Sequence, residues 1–143
     1  TGADSVTFTG TNTVSGDAVF VLGNGANSLE VDSATTFDAN VTVTGGKAND
    51  TIDFNNSIVS GLLSVTLGNG TNSLNSGGTI SGGLTYSGGA NGDTVTLSNG
   101  DDLAGDVALD ALGRRVEVRC SVSQLVVGVV PPTEQVVGPR RPE

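Results

Sequence analysis

The sequence predicts an all-β protein folded as a single-stranded parallel β-helix (a β-solenoid) with about 22 residues per coil. Three observations support this prediction. The composition favours strands and turns, short apolar segments recur at one period, and Gly/Asn turns recur at the same period. We expect five to six coils, each containing three short strands.

The composition excludes a helical protein. The chain has 22 Gly, four Phe, one Tyr and no Trp, and Val, Thr, Ser, Asn and Asp supply much of the rest. Val, Thr, Ile and Phe favour strands, whereas Gly, Asn and Asp favour turns. Stretches rich in Ala, Leu, Lys and Glu, which would favour helices, are missing.

Three apolar series share one period. The first consists of Val6, Leu29, Ile52, Leu74, Val95 and Val116, with separations of 23, 23, 22, 21 and 21 residues. The second consists of Val14, Phe37, Ile58, Ile80 and Leu103, and the third of Phe20, Val43, Val65, Tyr86 and Leu109. Stacked coils about 4.8 Å apart would turn each series into an inward-facing ladder. An antiparallel sandwich, the alternative fold, gives no reason for a shared period.

The turns repeat with the strands. "LGNGANSLEV" at 22–31 returns as "LGNGTNSL" at 67–74, and looser forms occur as "TGGKANDTIDF" at 44–54 and "SGGANGDTVTL" at 87–97. Gly and Asn tolerate the positive φ of a sharp corner. The repetition itself follows because one coil cannot bury its apolar face and a stack of coils can.

Two of these turns resemble a known calcium-binding repeat. Residues 45–53 and 88–96 match the repeats-in-toxin nonapeptide G-G-x-G-x-D-x-U-x except at Ala48 and Asn91, where the repeat has its later Gly. Over about residues 2–113 the chain resembles a degenerate member of that group or a related bacterial surface-protein solenoid. The resemblance implies a secreted, extracellular or cell-surface location and makes calcium the one cofactor that the sequence leaves open.

The candidate metal ligands form one column, which we call the Asx column: Asp4, Asn27, Asp50, Asn72 and Asp93. The family has nonapeptides in direct succession, whereas this chain has one imperfect copy per coil. Carboxylates of the column and carbonyls of the Gly turns would form a weak calcium site. Stacked Asx side chains also form hydrogen-bonded ladders that stabilise turns, and we favour this structural interpretation.

Charge excludes several partners. The net charge is −9, and residues 1–113 contain Lys47 as their only basic residue against twelve acidic ones. Nucleic acids and anionic membranes require basic patches, so we expect no nucleic-acid partner. No apolar stretch is long enough to span a bilayer, so we expect no membrane insertion.

The sequence predicts no enzyme. The chain has no His, which excludes His-based triads and general bases, and we interpret the single Cys120 as a buried apolar residue. The nearest acidic group, Asp101, Asp102, Asp106 and Asp110, begins in a turn, where such residues are usually solvated. Glu30 and Asp53 lie one coil apart, but no aromatic platform for a sugar accompanies them.

One outward face is rich in hydroxyl groups. It comprises Thr42, Thr44, Ser64, Thr66, Thr85 and Ser87 on three successive coils. Flat Thr arrays on solenoids resemble ice-binding faces. Because Val19 and Ala108 interrupt this array on either side, we interpret it as an ordinary Thr-rich β surface.

We divide the chain into a β-solenoid repeat domain, residues 1–113, and residues 114–143, a final coil edge plus a capping or assembly tail. The tail holds all five Arg and three Glu, so it is basic where the body is acidic. It either caps the solenoid or docks on the next molecule, giving end-to-end self-association. We therefore expect a non-catalytic structural or adhesive module. The alternative is a calcium-stabilised binding module of the repeats-in-toxin type.

Overall fold

A computed structural model describes residues 2–31, 34–97 and 102–110. These residues form strands and turns without any helix, so the all-β prediction is confirmed for them. No helix with the length and hydropathy needed to cross a membrane occurs in this described part. The strands in chain order are β1 (Ser5–Phe8), β2 (Asn12–Val14), β3 (Ala18–Gly23), β4 (Ser28–Val31), β5 (Thr35–Phe37), β6 (Val41–Gly45), β7 (Thr51–Val59), β8 (Leu63–Thr66), β9 (Ser73–Ile80), β10 (Leu84–Ser87), β11 (Thr94–Leu97), β12 (Asp102–Leu103) and β13 (Val107–Asp110).

The strands stack in parallel along one axis. One sheet contains β1, β2, β4, β5, β7, β9, β11 and β12, and the other contains β3, β6, β8, β10 and β13. Every described strand pair is parallel. The result is a β-solenoid of about four turns, roughly 22 residues apart, which confirms the predicted fold. The rest of the predicted coils, Val116 and Cys120 included, falls on residues 111–143, outside the described part, so the division into two domains stays a prediction.

The first and third apolar series lie in register inside the stack. Leu29 pairs with Ile52, Ile52 with Leu74, and Leu74 with Val95. All four side chains are 0% exposed, so each coil supplies the apolar floor of its neighbour. The third series pairs likewise from Phe20 to Leu109 through β3, β6, β8, β10 and β13.

The second series contains one error. Phe37 pairs with Val59 rather than with Ile58, and Ile58 is 44% exposed. The cause is Asn56, which has φ of 56° at a register shift between Asn55 and Ile58. A bulge adds one residue to a strand and reverses the facing of all residues beyond it, so Val59 turns inward in place of Ile58.

The predicted count of three strands per coil also changes in the middle of the stack. In the third and fourth coils the first two strands merge into the long strands β7 and β9. β7 pairs with both β4 and β5 of the coil before it. The bend that separates β4 from β5 in the second coil therefore has no equivalent in the third coil, where one continuous strand replaces the two.

Two isoleucines that the sequence placed in one inward series provide a test. Ile80 is 2% exposed, so we expect Ile80→Ala to lower the free energy of unfolding by about 2–5 kcal/mol through lost burial and a residual cavity. The matched control Ile58→Ala removes the same atoms from the surface and should change it by less than about 1 kcal/mol. Urea denaturation followed by circular dichroism measures both values, and equal losses would contradict the bulged register.

Candidate functional site

The structure brings the Asx column together at one corner of the solenoid. Each member directly precedes the first strand of its coil, at β1, β4, β7, β9 and β11. The strand residues that follow them pair in register from coil to coil, as Ser28 does with Thr51. The side chains of Asn27, Asp50, Asn72 and Asp93 are buried, whereas Asp4 at the end of the column is exposed.

The column is linked by hydrogen bonds from backbone to side chain. The Asp4 N–H donates to Asn27 Oδ1 at 3.0 Å, and the Asn27 N–H donates to Asp50 Oδ1 at 3.0 Å. The Asp50 N–H donates to Asn72 Oδ1 at 2.9 Å, and the Asn72 N–H donates to Asp93 Oδ1 at 2.8 Å. Each side chain therefore satisfies a backbone donor of the preceding coil, which is the bonding of an Asx ladder.

The two asparagines also hold their own turns. Asn27 Nδ2 donates to the Gly25 carbonyl at 2.7 Å and to Asp50 Oδ1 at 2.8 Å. Asn72 Nδ2 donates to the Gly68 carbonyl at 3.0 Å. Because a carboxylate has no donor, Asp50 and Asp93 cannot bond their turns in this way.

The two buried aspartates instead leave one oxygen each without a partner. Asp50 Oδ2 and Asp93 Oδ2 make no hydrogen bond. They lie over Gly45 and Gly88, where a Cβ atom would overlap the carboxylate oxygen. Glycine at these two positions therefore makes room for the carboxylates.

Gly45 and Gly88 belong to an alternation that our sequence reasoning missed. The residue five positions before each Asx is Leu22 before Asn27 and Leu67 before Asn72, but Gly45 before Asp50 and Gly88 before Asp93. A Cβ atom at Gly45 would lie only 2.9 Å from Leu67 Cδ2. The leucine side chain of one coil therefore fills the space left by the missing side chain of Gly45 in the neighbouring coil. Because the Leu or Gly always lies five residues before the Asn or Asp, this pairing of residue types could have been found in the sequence.

Tyr86 is the second feature that the sequence did not assign to this corner. It is 1% exposed, and its hydroxyl makes no hydrogen bond of ordinary geometry. Burial raises the pKa of Tyr86 well above its usual range, and the nearby Asp93 carboxylate and the more weakly felt charge of Asp50 raise it further. The phenol is therefore held neutral inside the solenoid.

The column as folded does not fit a calcium ion. Calcium takes six to eight oxygens, several of them carboxylate, but the Oδ1 atoms of the four later members already accept backbone N–H groups. Asp50 and Asp93 stand two coils apart, about 9.6 Å along the axis. Within the described ranges no three His, Cys, Asp or Glu side chains group as a metal site. Calcium binding by Asp4, Asn27, Asp50, Asn72 and Asp93 stays a prediction that this geometry does not support.

The remaining candidates lie on the surface or outside the described part. Glu30 pairs with Asp53 on adjacent strands, and Asn75 Nδ2 donates to Asp53 Oδ2 at 3.4 Å. Asp106 is exposed, Asp101 lies outside the described residues, and nothing is described of the Asp102 and Asp110 side chains. The hydroxyl-rich face is formed as expected, with Thr42, Ser64 and Thr85 in register on neighbouring strands.

No protein-family model, curated protein or solved structure matches this chain at a significant level.

The ladder can be tested at Asn72. Asn72→Ala leaves the buried Asp50 N–H without its acceptor and the Gly68 carbonyl without a donor, so we expect a loss of about 1–3 kcal/mol in the free energy of unfolding. The control is Asn91→Ala, an exposed turn residue, which should change stability by about 0.5 kcal/mol or less. Chemical denaturation measures both, and a neutral Asn72→Ala would show that the ladder contributes nothing.

Tyr86 gives a pH test, since it is the single Tyr of the chain. Its pKa is raised in the folded state, so the neutral phenol stabilises the fold fully below the unfolded-state pKa of about 10. As the pH rises above that value, the unfolded chain loses the proton first and this contribution to stability falls. We expect the stability of the wild type, relative to Tyr86→Phe, to decline from about pH 10 upward. Denaturant titrations of both proteins at several pH values measure the difference, and parallel curves would contradict the burial of a neutral phenol.

Proposed function

We propose that the protein is a non-catalytic structural or adhesive β-solenoid of a secreted or cell-surface microbial protein, which stacks end to end into extracellular fibres. The observation that supports this most strongly is the continuous Asx column. At one corner of the solenoid, the buried side chains of Asn27, Asp50, Asn72 and Asp93 each bond the backbone of the coil before, which links the coils continuously from Asp4 to Asp93.

The position of the ionisable groups supports a non-catalytic role. Asp50, Asp93 and Tyr86 have environments of the kind that active sites use, with burial and unpartnered oxygens. All three are at most 2% exposed, so a substrate has no access to them. The two carboxylate oxygens face Gly45 and Gly88 inside the corner, and the Tyr86 ring lies beside Gly88, which is the arrangement of groups that pack rather than react.

The shape of the stack supports a structural role. Four turns at about 4.8 Å extend the described part by roughly 19 Å along one axis, with parallel backbone hydrogen bonds aligned along that axis. Parallel pairing continues from coil to coil in both sheets. Such an assembly is quasi-one-dimensional, because each coil contacts only its neighbours, and it lengthens by adding further coils.

The alternative is a calcium-stabilised repeat module of the repeats-in-toxin type. One observation favours it: the Oδ2 atoms of Asp50 and Asp93 are carboxylate oxygens without a partner beside Gly-rich turns. A cation at either turn would satisfy such an oxygen, although the remaining ligands would have to come from a rearranged turn.

One experiment separates the two functions. The double variant Asp50→Asn with Asp93→Asn removes both buried carboxylates and supplies amide donors of the kind that Asn27 uses toward Gly25. For the structural rod we expect the wild-type Tm to be the same in calcium and in chelator, and the double variant to be as stable as the wild type or more so. Thermal unfolding followed by circular dichroism measures both.

The control is Asp38→Asn, which removes one charge from the surface. A wild-type Tm that rises with calcium, together with loss of that rise in the double variant but not in Asp38→Asn, would establish the calcium module. It would contradict the calcium-independent rod.

A further inference from the structure

Several Asn-Gly pairs of the chain are equivalent at the level of sequence. They are residues 24–25, 69–70, 91–92 and 99–100, and the last of them lies outside the described residues. Asn followed by Gly is open to loss of the side-chain amide, because no side chain on the glycine hinders its backbone nitrogen. The dipeptide alone therefore gives the three described pairs the same reactivity. The Asn side chains of all three are exposed, so access of water does not separate them either.

The amide of Asn27 holds the first pair in place. Its Nδ2 donates to the Gly23 carbonyl at 3.5 Å and to the Gly25 carbonyl at 2.7 Å. These two carbonyls stand on either side of the peptide group that joins Asn24 to Gly25. Rotation of that peptide group, which would bring the glycine nitrogen to the Asn24 side chain, therefore requires these bonds to break.

The amide of Asn72 holds the second pair in the same way. Its Nδ2 donates to the Gly68 carbonyl at 3.0 Å and to the Gly70 carbonyl at 3.5 Å. The peptide group that joins Asn69 to Gly70 lies between them. Asn69 Oδ1 also accepts the Ala90 N–H at 3.3 Å, which fixes the side chain that would be attacked. This pair is restrained in both its main chain and its side chain.

The third pair lies in a turn whose Asx residue is an aspartate. The Asp93 carboxylate has no donor, so it cannot hold the carbonyls of its own turn. Asn91 and Gly92 are both exposed, and neither makes a hydrogen bond to a residue in the described ranges. Gly25 and Gly70, in contrast, are buried against the preceding coil, where a Cβ atom would overlap a backbone carbonyl. The restraints that hold the other two pairs are thus missing from this turn.

We propose that Asn91 is a site of spontaneous deamidation and that the Asx column protects Asn24 and Asn69 from the same reaction. The Gly92 nitrogen bonds to Asn91 Cγ, the Cγ–Nδ2 bond breaks, and the amide group leaves as ammonia with the proton of the Gly92 N–H. Water then opens the five-membered imide at either carbonyl, which leaves aspartate or isoaspartate at position 91. The reaction consumes one water molecule and needs no oxidant, reductant or enzyme.

The product changes the charge of this corner and, as isoaspartate, also its main chain. Either form adds a negative charge two residues before the buried Asp93, in a chain whose net charge is already −9. Isoaspartate also lengthens the main chain by one methylene group. Both changes fall in the turn that leads into β11, whose residues pair with β9 of the coil before.

The first test compares the three sites within one molecule. Prolonged incubation of the folded chain at mildly alkaline pH, followed by proteolysis and mass spectrometry with fragmentation, gives a rate for each site. We expect Asn91 to deamidate about tenfold or more faster than Asn24 and Asn69, because the held turns must open before they react. In denaturant the three rates should agree within about threefold, since the dipeptide is the same and the column is absent. Fragmentation also separates Asn99, which stays outside the comparison.

The second test supplies the missing donor. Asp93→Asn places an amide two residues after Asn91, the spacing at which Asn27 reaches Gly25, so the Asn91 carbonyl gains a donor. We expect the deamidation rate of Asn91 to fall by about threefold or more. The control Asp38→Asn also removes one carboxylate, but from the surface, and should leave that rate unchanged. Circular dichroism confirms that both variants keep the wild-type fold.

Each outcome decides one point. Equal rates at the three sites in the folded chain, or no reaction at Asn91, would overturn the proposal. A fast reaction at Asn91 that is equally fast in Asp93→Asn would leave the modification site standing and overturn its control by the Asx column.

Discussion

Stacking of one coil on the next is the constraint on which the rest of this structure depends. A single coil buries almost nothing, whereas two coils in parallel register share backbone hydrogen bonds and a common apolar interior. The pairing of Leu29 with Ile52, and of Ile52 with Leu74, puts side chains of similar size above one another at every level. Polar groups obey the same constraint, because a corner N–H buried by stacking must find its acceptor in the adjoining coil, and the Asx column provides it.

The sequence predicted the fold well because the constraint is periodic. Two of the three apolar series lie in register as expected, since a repeat of about 22 residues survives small variations in turn length. The failure at Ile58 has a local cause. A bulge at Asn56 shifts the facing by one residue, and nothing in "NNS" distinguishes a bulged strand from an ordinary bend until φ is known. The merging of two strands in β7 and β9 was also missed.

The corner could be predicted only in part. Position and residue type revealed the Asx column, because Asp and Asn recur at the period of the coils. Asn and Asp make different hydrogen bonds in this column, and these bonds depend on distances and directions that the sequence does not contain. Asn27 bonds its own turn and Asp50 does not, and the latter keeps an oxygen over Gly45 without a partner. Likewise, the entry of Tyr86 into the environment of Asp93 depends on where its ring lies, which periodicity does not specify.

The alternation of Leu/Asn with Gly/Asp means that neighbouring coils are not interchangeable. Leu67 fills room that exists because Gly45 has no side chain, and Asp50 Oδ2 occupies the same vacated space. The unit that genetic duplication can copy without damage is consequently a pair of coils of opposite type. Deleting or inserting an odd number of coils within the stack would bring two coils of the same type together, either leucine on leucine or aspartate on aspartate, so the length of such a rod should change by two coils at a time.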